Sequence, residues 1–128
     1  MRVWITEVSP RDGLQNVKET VPTERKVAFV NALSETGVDE IEVSAFVHPR
    51  WVPQMADAEE VFRRIDRREG VIYSAIVPNE RGLERALSVG VDKVAVLTAA
   101  TDTFNLKNIN TDIEGSFRRL IPVVRRAK

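Results

Sequence analysis

The chain has no cysteine. Disulfides and thiolate metal sites are therefore excluded, and the composition fits a cytoplasmic protein. Histidine occurs once, as His48, so a zinc centre of several imidazoles cannot be assembled from this chain alone. No apolar run approaches the ~20 residues of a membrane-spanning helix. Met1 stands directly before the first strand signal, which leaves no room for a signal or transit peptide. An excess of charge is missing too, since 19 Lys and Arg balance 19 Asp and Glu. That balance argues against a nucleic-acid footprint, an acidic tail or a polybasic membrane patch. What remains is 128 residues with 43% hydrophobic content, enough for one domain with a modest core.

Taken in order, the chain alternates strand and helix signals. Val3 to Val8 is rich in β-formers and apolar at nearly every position. Pro22 opens a helix, with Val27, Phe29, Val30 and Leu33 as its apolar stripe and Gly37 as its left-handed cap. Glu40 to Ser44 is a second strand, followed by a long loop from Ala45 to Gln54. A second helix buries Ala58, Val61, Phe62 and Ile65, turns Arg63, Arg64, Arg67 and Arg68 to solvent, and ends at Gly70. Val71 to Val77 reads as a parallel strand covered on both faces, stopped by Pro78 and Asn79. A short helix around Leu83, Ala86 and Leu87 ends at Gly90, and Lys93 to Leu97 forms a fourth strand. A polar loop from Thr98 to Asn110 leads to a last helix. That helix opens on the capping box Thr111-x-x-Glu114, packs through Phe117, Leu120, Ile121 and Val124, and kinks at Pro122.

The order βαβαβαβα has an internal echo. Leu33-Ser34-Glu35-Thr36-Gly37-Val38-Asp39 resembles Leu87-Ser88-Val89-Gly90-Val91-Asp92, which implies a repeating βα unit of roughly 25–35 residues. Such units build open doubly wound sheets or (βα)8 barrels. No Gly-x-Gly-x-x-Gly follows the first strand and no Gly-Lys-Ser/Thr occurs, so nucleotide-binding open sheets lose ground. The strand ends offer Arg11 and Asp12, Glu42 and Ser44, Asn79, and Thr98. Polar groups on one rim favour a TIM barrel, whose sites lie at the C-terminal strand ends. A full barrel takes about 250 residues. The reading is thus an α/β half barrel of about four βα units, with two open edges that invite pairing.

The first strand runs into Ser9-Pro10-Arg11-Asp12-Gly13, a stiff turn that holds opposite charges side by side. A carboxylate there suits a divalent cation and a guanidinium suits developing negative charge; an ordinary surface ion pair is the plain alternative. Four stretches decide between these. They are Glu7-Val8-Ser9-Pro10-Arg11-Asp12-Gly13-Leu14-Gln15-Asn16; Ile41-Glu42-Val43-Ser44-Ala45-Phe46-Val47 with Pro49-Arg50-Trp51-Val52-Pro53-Gln54-Met55; Pro78-Asn79; and Lys107-Asn108-Ile109-Asn110. Together they resemble the N-terminal half of the 3-hydroxy-3-methylglutaryl-CoA lyase family, within the wider group of (βα)8 lyases and acyl-CoA synthases. Arg-Asp-Gly-x-Gln marks the wider group, and Ser-Pro-Arg-Asp-Gly-Leu-Gln-Asn with Trp-Val-Pro-Gln-Met marks the lyases.

The resemblance implies roles. Asp12 matches a ligand of a divalent metal, Mg2+ or Mn2+, and Arg11 matches the cation that stabilises an enolate-like thioester oxygen. Glu42 matches a glutamate of the same pocket, which either orients Arg11 or moves a proton. Gln15 and Lys18 match substrate-side residues and Glu7 a supporting one. The implied reaction is retro-Claisen cleavage of an acyl-CoA to acetyl-CoA and acetoacetate, chemistry of leucine degradation and ketone-body formation. The family's later His-x-His, asparagine and glycine-loop cysteine have no match here. The isolated half is therefore expected to be inactive, with a missing C-terminal half or a homo-oligomer covering its open edges. Ala45 stands where related lyases often carry a small hydroxyl residue. His48 reads as a surface loop histidine, Trp4 and Trp51 as packing, and Asn108 and Asn110 either as loop caps or as part of the site. Two rivals stay open. One is a barrel enzyme on another 3-hydroxyacyl-CoA or a Claisen-type synthase, and the other is a non-catalytic half-barrel module.

Overall fold

A computed structural model describes residues 1–128. Four strands, β1 (Thr6–Glu7), β2 (Glu40–Ala45), β3 (Ile72–Ile76) and β4 (Lys93–Ala95), lie side by side in chain order, every pair parallel. Between and after them run α1 (Thr23–Ser34), α2 (Ala58–Arg64), α3 (Glu80–Ser88), α4 (Asp102–Ile109) and α5 (Ile113–Ala127). No helix is long and apolar enough to cross a membrane.

The alternation of the strands sorts the sheet into two faces. Ile41, Val43, Tyr73, Ala75 and Val77 point to the helices and join Val30, Val61, Phe62, Leu83, Ala86 and Val123 in one buried cluster. Each large apolar side chain there contributes about 1.5–3 kcal/mol of transfer free energy. Tyr73 is 1% exposed, yet its hydroxyl is satisfied by Ser34 Oγ at 2.8 Å and by the Arg68 amide at 2.8 Å. The other face is polar. Glu40 accepts from Lys93 Nζ at 2.8 Å, Trp4 Nε1 at 3.4 Å and Thr6 Oγ1 at 3.5 Å.

The echo in the sequence has a structural meaning. Gly37 and Gly90 both adopt positive φ, 85° and 63°, and turn the chain out of a helix. The aspartate two residues later then clasps the preceding strand. Asp39 Oδ2 accepts from the Ile5 amide at 2.9 Å while its own amide donates to the Ile5 carbonyl at 3.1 Å. Asp92 repeats both bonds on Tyr73, at 2.9 and 3.1 Å.

Several expectations change. β1 and β4 are shorter than their strand-forming sequences, because each lacks a neighbour on its outer side. The second helix stops at Arg64 rather than Gly70, since the Asn31 side chain takes the Asp66 amide at 2.9 Å. Its arginines are not all free in solvent: Arg67 donates to the Val89 and Gly90 carbonyls and Arg68 pairs with Glu35. The polar loop after Thr98 contains α4, capped by Thr101 Oγ1 on the Phe104 amide and closed by Asn110 at φ 52°. The cap of α5 is Asp112, accepting from Gly115 N at 2.7 Å, and Glu114 pairs with Arg118 instead of closing a box with Thr111. α5 buries Ser116, Leu120 and Val123, leaving Phe117, Ile121 and Val124 exposed at 50%, 44% and 38%. α5 runs on through Pro122 to Ala127; Pro122 offers no N–H to the Arg118 carbonyl, and it sits on the exposed side.

Candidate active site at the strand ends

The residues after β1 form one π-helical turn, Ser9–Gly13. The Val8 carbonyl accepts from both Arg11 N (3.1 Å) and Asp12 N (2.7 Å). Glu7 Oε1 accepts from the Ser9 amide at 2.8 Å, and that bond holds its carboxyl below the usual glutamate range. Asn16 Nδ2 closes the turn on the Asp12 carbonyl at 2.8 Å. Pro10 is buried and stiffens the first step.

The turn aims Arg11 at the end of β2. Its Nε donates to Glu42 Oε1 at 2.5 Å and its Nη1 to Asp12 Oδ1 at 2.9 Å. The two carboxylates differ in setting: the Glu42 side chain is 11% exposed and that of Asp12 61%. Nη2 makes no hydrogen bond within the chain, and Arg11 lines the cleft.

That cleft has a volume of about 340 Å3 and opens at the C-terminal ends of the strands. Arg11 and Gln15 line one side, Ala45, Ile76 and Leu97 come from the strand ends, and Asn108, Asn110 and Arg119 come from α4 and α5. Asn79 also lines it while capping α3 through Gly82 N at 2.8 Å. Gly82 is required there, because a Cβ would stand 2.8 Å from both the Phe46 carbonyl and Pro78 Cδ. Asn110 caps α4 and Asn108 bonds the Phe104 carbonyl at 2.8 Å, so both serve the loop and face the cleft.

A bulge resets β2 as it reaches this rim. Glu42 pairs with Ser74, but Ser44 pairs with Ala75, so one extra residue is accommodated. Ser44 consequently turns from the rim and its hydroxyl meets Met55 Sδ at 3.3 Å in the core, while Ala45 faces the cleft. Thr98, just past β4, bonds Ser116 Oγ at 2.6 Å, and Ser116 itself lines the cleft.

Of the residues singled out from sequence, Arg11, Asp12 and Glu42 are brought together, Gln15 lines the cleft beside Arg11, and Glu7 is spent on the Ser9 amide of the turn. Lys18 is exposed and lines a separate groove with Trp51 and Gln54 instead of the cleft, because the chain has left the turn by then. Trp51 and Trp4 are not packed, being 67% and 52% exposed; Trp51 lines the cleft. His48 is an exposed loop residue as expected, and it too lines the cleft. Arg119 was not foreseen. It is exposed, sits one helical turn after Ser116 on α5, lines the cleft and donates to the Ile109 carbonyl at 2.9 Å, and the i, i+3 spacing was its signal. Also unforeseen is a buried support beneath the turn. Gln54 accepts from Val21 N (3.0 Å) and donates to the Val17 and Glu19 carbonyls (3.2 and 2.9 Å), while Lys26 holds Gln54's own carbonyl and Asp57.

The residues of this chain do not make a metal centre by themselves. No group of three or more His, Cys, Asp or Glu side chains converges anywhere. Asp12 is the one accessible carboxylate at the turn, a hard oxygen donor suited to a divalent ion.

A parallel (βα)4 half barrel, with a guanidinium between two carboxylates at its C-terminal rim, has the build of a barrel-enzyme segment. The HMGL-like family model matches residues 2–128. The chain therefore belongs to the HMGL-like family. It is 48% identical over 127 residues to a Pseudomonas aeruginosa 3-hydroxy-3-isohexenylglutaryl-CoA/hydroxy-methylglutaryl-CoA lyase, covering 99% of this chain and 42% of that protein. It is 50% identical over 126 residues to the cytoplasmic 3-hydroxy-3-methylglutaryl-CoA lyase of Rattus norvegicus, covering 98% and 37%. The crystal structure of the Bacillus subtilis HMG-CoA lyase superposes with a TM-score of 0.96 at 47% identity, covering 98% of this chain and 42% of that one. An Acinetobacter baumannii HMG-CoA lyase in complex with coenzyme A and 3-methylmalate gives 0.93 at 36%, covering 96% and 40%. The chain spans about two-fifths of the length of these relatives.

Proposed function

We propose that this chain supplies the N-terminal part of an acyl-CoA lyase of the hydroxymethylglutaryl-CoA lyase type, working in the cytoplasm. The observation that carries the reading is Arg11, held by Glu42 at 2.5 Å and Asp12 at 2.9 Å at the mouth of the cleft. Cleaving the carbon–carbon bond beside a tertiary alkoxide sends an electron pair toward the thioester, and charge builds on its oxygen. A fixed guanidinium with one N–H pair unspent stabilises that charge. Glu42, nearly buried, orients Arg11 and keeps it in place as the cleft fills. Asp12 would give one oxygen to Mg2+ or Mn2+, with the other ligands coming from outside this chain; the ion supplies Lewis acidity toward the substrate hydroxyl. Gln15 contacts substrate from the same wall, and Glu7 fixes the turn.

The test is complementation. This chain is co-expressed with the part of the Bacillus subtilis enzyme that lies beyond the matched region, and acetyl-CoA and acetoacetate are measured from 3-hydroxy-3-methylglutaryl-CoA. Either chain alone is expected to be inactive and the complex active, with Arg11→Gln lowering kcat about 10²–10³-fold. A soluble complex that is inactive, or one indifferent to Arg11→Gln, counts against the reading. The absence of converging metal ligands favours one other reading for the chain on its own, a non-catalytic half-barrel module. Measurable Mn2+ affinity in the pure chain, lost in Asp12→Ala, would exclude it.

A further inference from the structure

We propose that Gln54 is a positioning residue for the cleft. It fixes the loop after β1 against the loop after β2 and so sets the spacing of Gln15 and Trp51 on the cleft wall. This rests on the reading above that the cleft holds the acyl-CoA, and it gives the Trp51-Val52-Pro53-Gln54-Met55 stretch a task.

The Gln54 side chain is buried, and its amide is spent on one loop. Oε1 accepts from the Val21 amide at 3.0 Å, and Nε2 donates both its hydrogens, to the Val17 and Glu19 carbonyls at 3.2 and 2.9 Å. That loop is bonded back to the Arg11 turn, Asn16 N to the Gly13 carbonyl at 3.3 Å and Val17 N to the Leu14 carbonyl at 3.0 Å. Turn, loop and Gln54 thus form one hydrogen-bonded path.

Gln54 is itself anchored. It sits in the short 3-10 turn Pro53–Met55, whose last residue is buried and meets the Ser44 hydroxyl. The buried Lys26 ammonium reaches from α1 to the Gln54 carbonyl and to Asp57 Oδ1 at 2.7 Å, and Asp57 Oδ2 accepts from Thr23 Oγ1 at 2.7 Å. A buried ammonium is costly unless it is paired and hydrogen-bonded, so this one pins the turn to α1. All of these partners fall within residues 13–57.

Gln15 and Trp51 line both the cleft and a groove between the two loops, and Gln54 lines that groove too. One wall of the cleft therefore stands on two loops whose separation Gln54 dictates. A carboxyl at this position would behave differently. Ionised, it sets negative oxygen against two carbonyls; protonated, it donates to one of them again. Burial and those carbonyls would raise its pKa.

The two-chain complex described above is assayed with 3-hydroxy-3-methylglutaryl-CoA between about pH 5.5 and about pH 8. Loop spacing is read in the same complex by pulsed dipolar spectroscopy. The chain has no cysteine, so nitroxides attached at Lys18→Cys and Arg50→Cys before mixing report on those loops alone. Wild type should give one narrow distance. Gln54→Met should broaden it and raise KM at least ~10-fold at every pH, with kcat changed less. Gln54→Glu should match it at high pH and recover both spacing and KM in acid, a profile that a general loss of stability does not produce. Should Gln54→Met lose its far-UV circular dichroism, Gln54→Asn, too short to reach the loop, replaces it. Narrow distances in the folded variants, or broad ones with KM unmoved, overturn the proposal. If the wild-type complex does not cleave the thioester, the lyase reading fails, and the Kd of the intact thioester replaces KM here.

Discussion

One guanidinium shared by two carboxylates yields a sharp test, because the two partners should not matter equally. Glu42→Gln keeps an oxygen near Arg11 Nε but removes the charge from a side chain 11% exposed, leaving a guanidinium 18% exposed without its inner partner. A hydrogen bond to a charged group is worth about 1.5–3 kcal/mol, and the retained amide oxygen recovers part of it. A loss of about 1–2 kcal/mol is expected. Asp12→Asn acts on a side chain 61% exposed, where ion pairs contribute about 0–1 kcal/mol. The expected loss there is under about 0.5 kcal/mol. Urea unfolding followed by circular dichroism, at one protein concentration because any self-association shifts the midpoint, reads the difference. With a slope of about 1–2 kcal/mol per molar for a small domain, Glu42→Gln should move the midpoint by roughly 1 M and Asp12→Asn by a few tenths at most. Equal shifts would refute the idea that Glu42 holds Arg11 while Asp12 stands available to a ligand.

Other expectations follow from the same structure. Tyr73→Phe strands the Arg68 amide and leaves the Ser34 hydroxyl with only its bond to the Val30 carbonyl, and should cost about 1–2 kcal/mol, and a double-mutant cycle with Ser34→Ala should show coupling; independence of the two changes would contradict it. Gln54→Met keeps volume but drops three bonds to the Val17–Val21 segment, so hydrogen exchange at the Val21 amide should quicken at least tenfold while the β3 amides are unchanged. Stability should fall in acid. Arg85 hydrogen bonds hold the Glu59 carboxyl below its ordinary 4.5; burial pushes Glu40 up, but its bonds from Lys93 and Ser74 outweigh that. Both contributions are complete above the unfolded value and vanish as pH drops through the lower folded values, so the midpoint should decline below pH 4.5 and not above. Loss beginning near neutrality would point to other groups.

The sequence made the fold legible where a residue's local chemistry and its tertiary role agreed. Gly37 and Gly90 had to turn the chain, and the aspartate after each clasps the previous strand, so the repeat could be seen before its function. Position 72 breaks the pattern, with Ile72 in the place of that aspartate, and only the pairing explains why β3 tolerates it: its amide bonds the Asp39 carbonyl at 3.0 Å. Errors arose where two local answers were equally good. In α5 the more apolar stripe, Phe117 with Ile121, is outside, because Ser116 is satisfied inside by Thr98 and the Ile113 carbonyl. The segment Thr98–Asn110 reads as polar loop, but Asn105 is buried at 2% and bonds the Ala99 backbone in both directions, which gives the helix a tertiary anchor that no periodicity records. At the site, Arg11, Asp12 and Glu42 were legible as charges bracketed by turn residues. The Gln54–Lys26 support was not, since a buried lysine and glutamine look like surface residues until their partners are placed.

The extra residue in β2 separates two jobs that neighbouring positions would otherwise share. Ser44 is committed to the fit around Met55, whereas Ala45, buried at 3%, forms part of the cleft wall. What the molecule accepts is thus shaped at residue 45, one step along the chain from a position given over to packing.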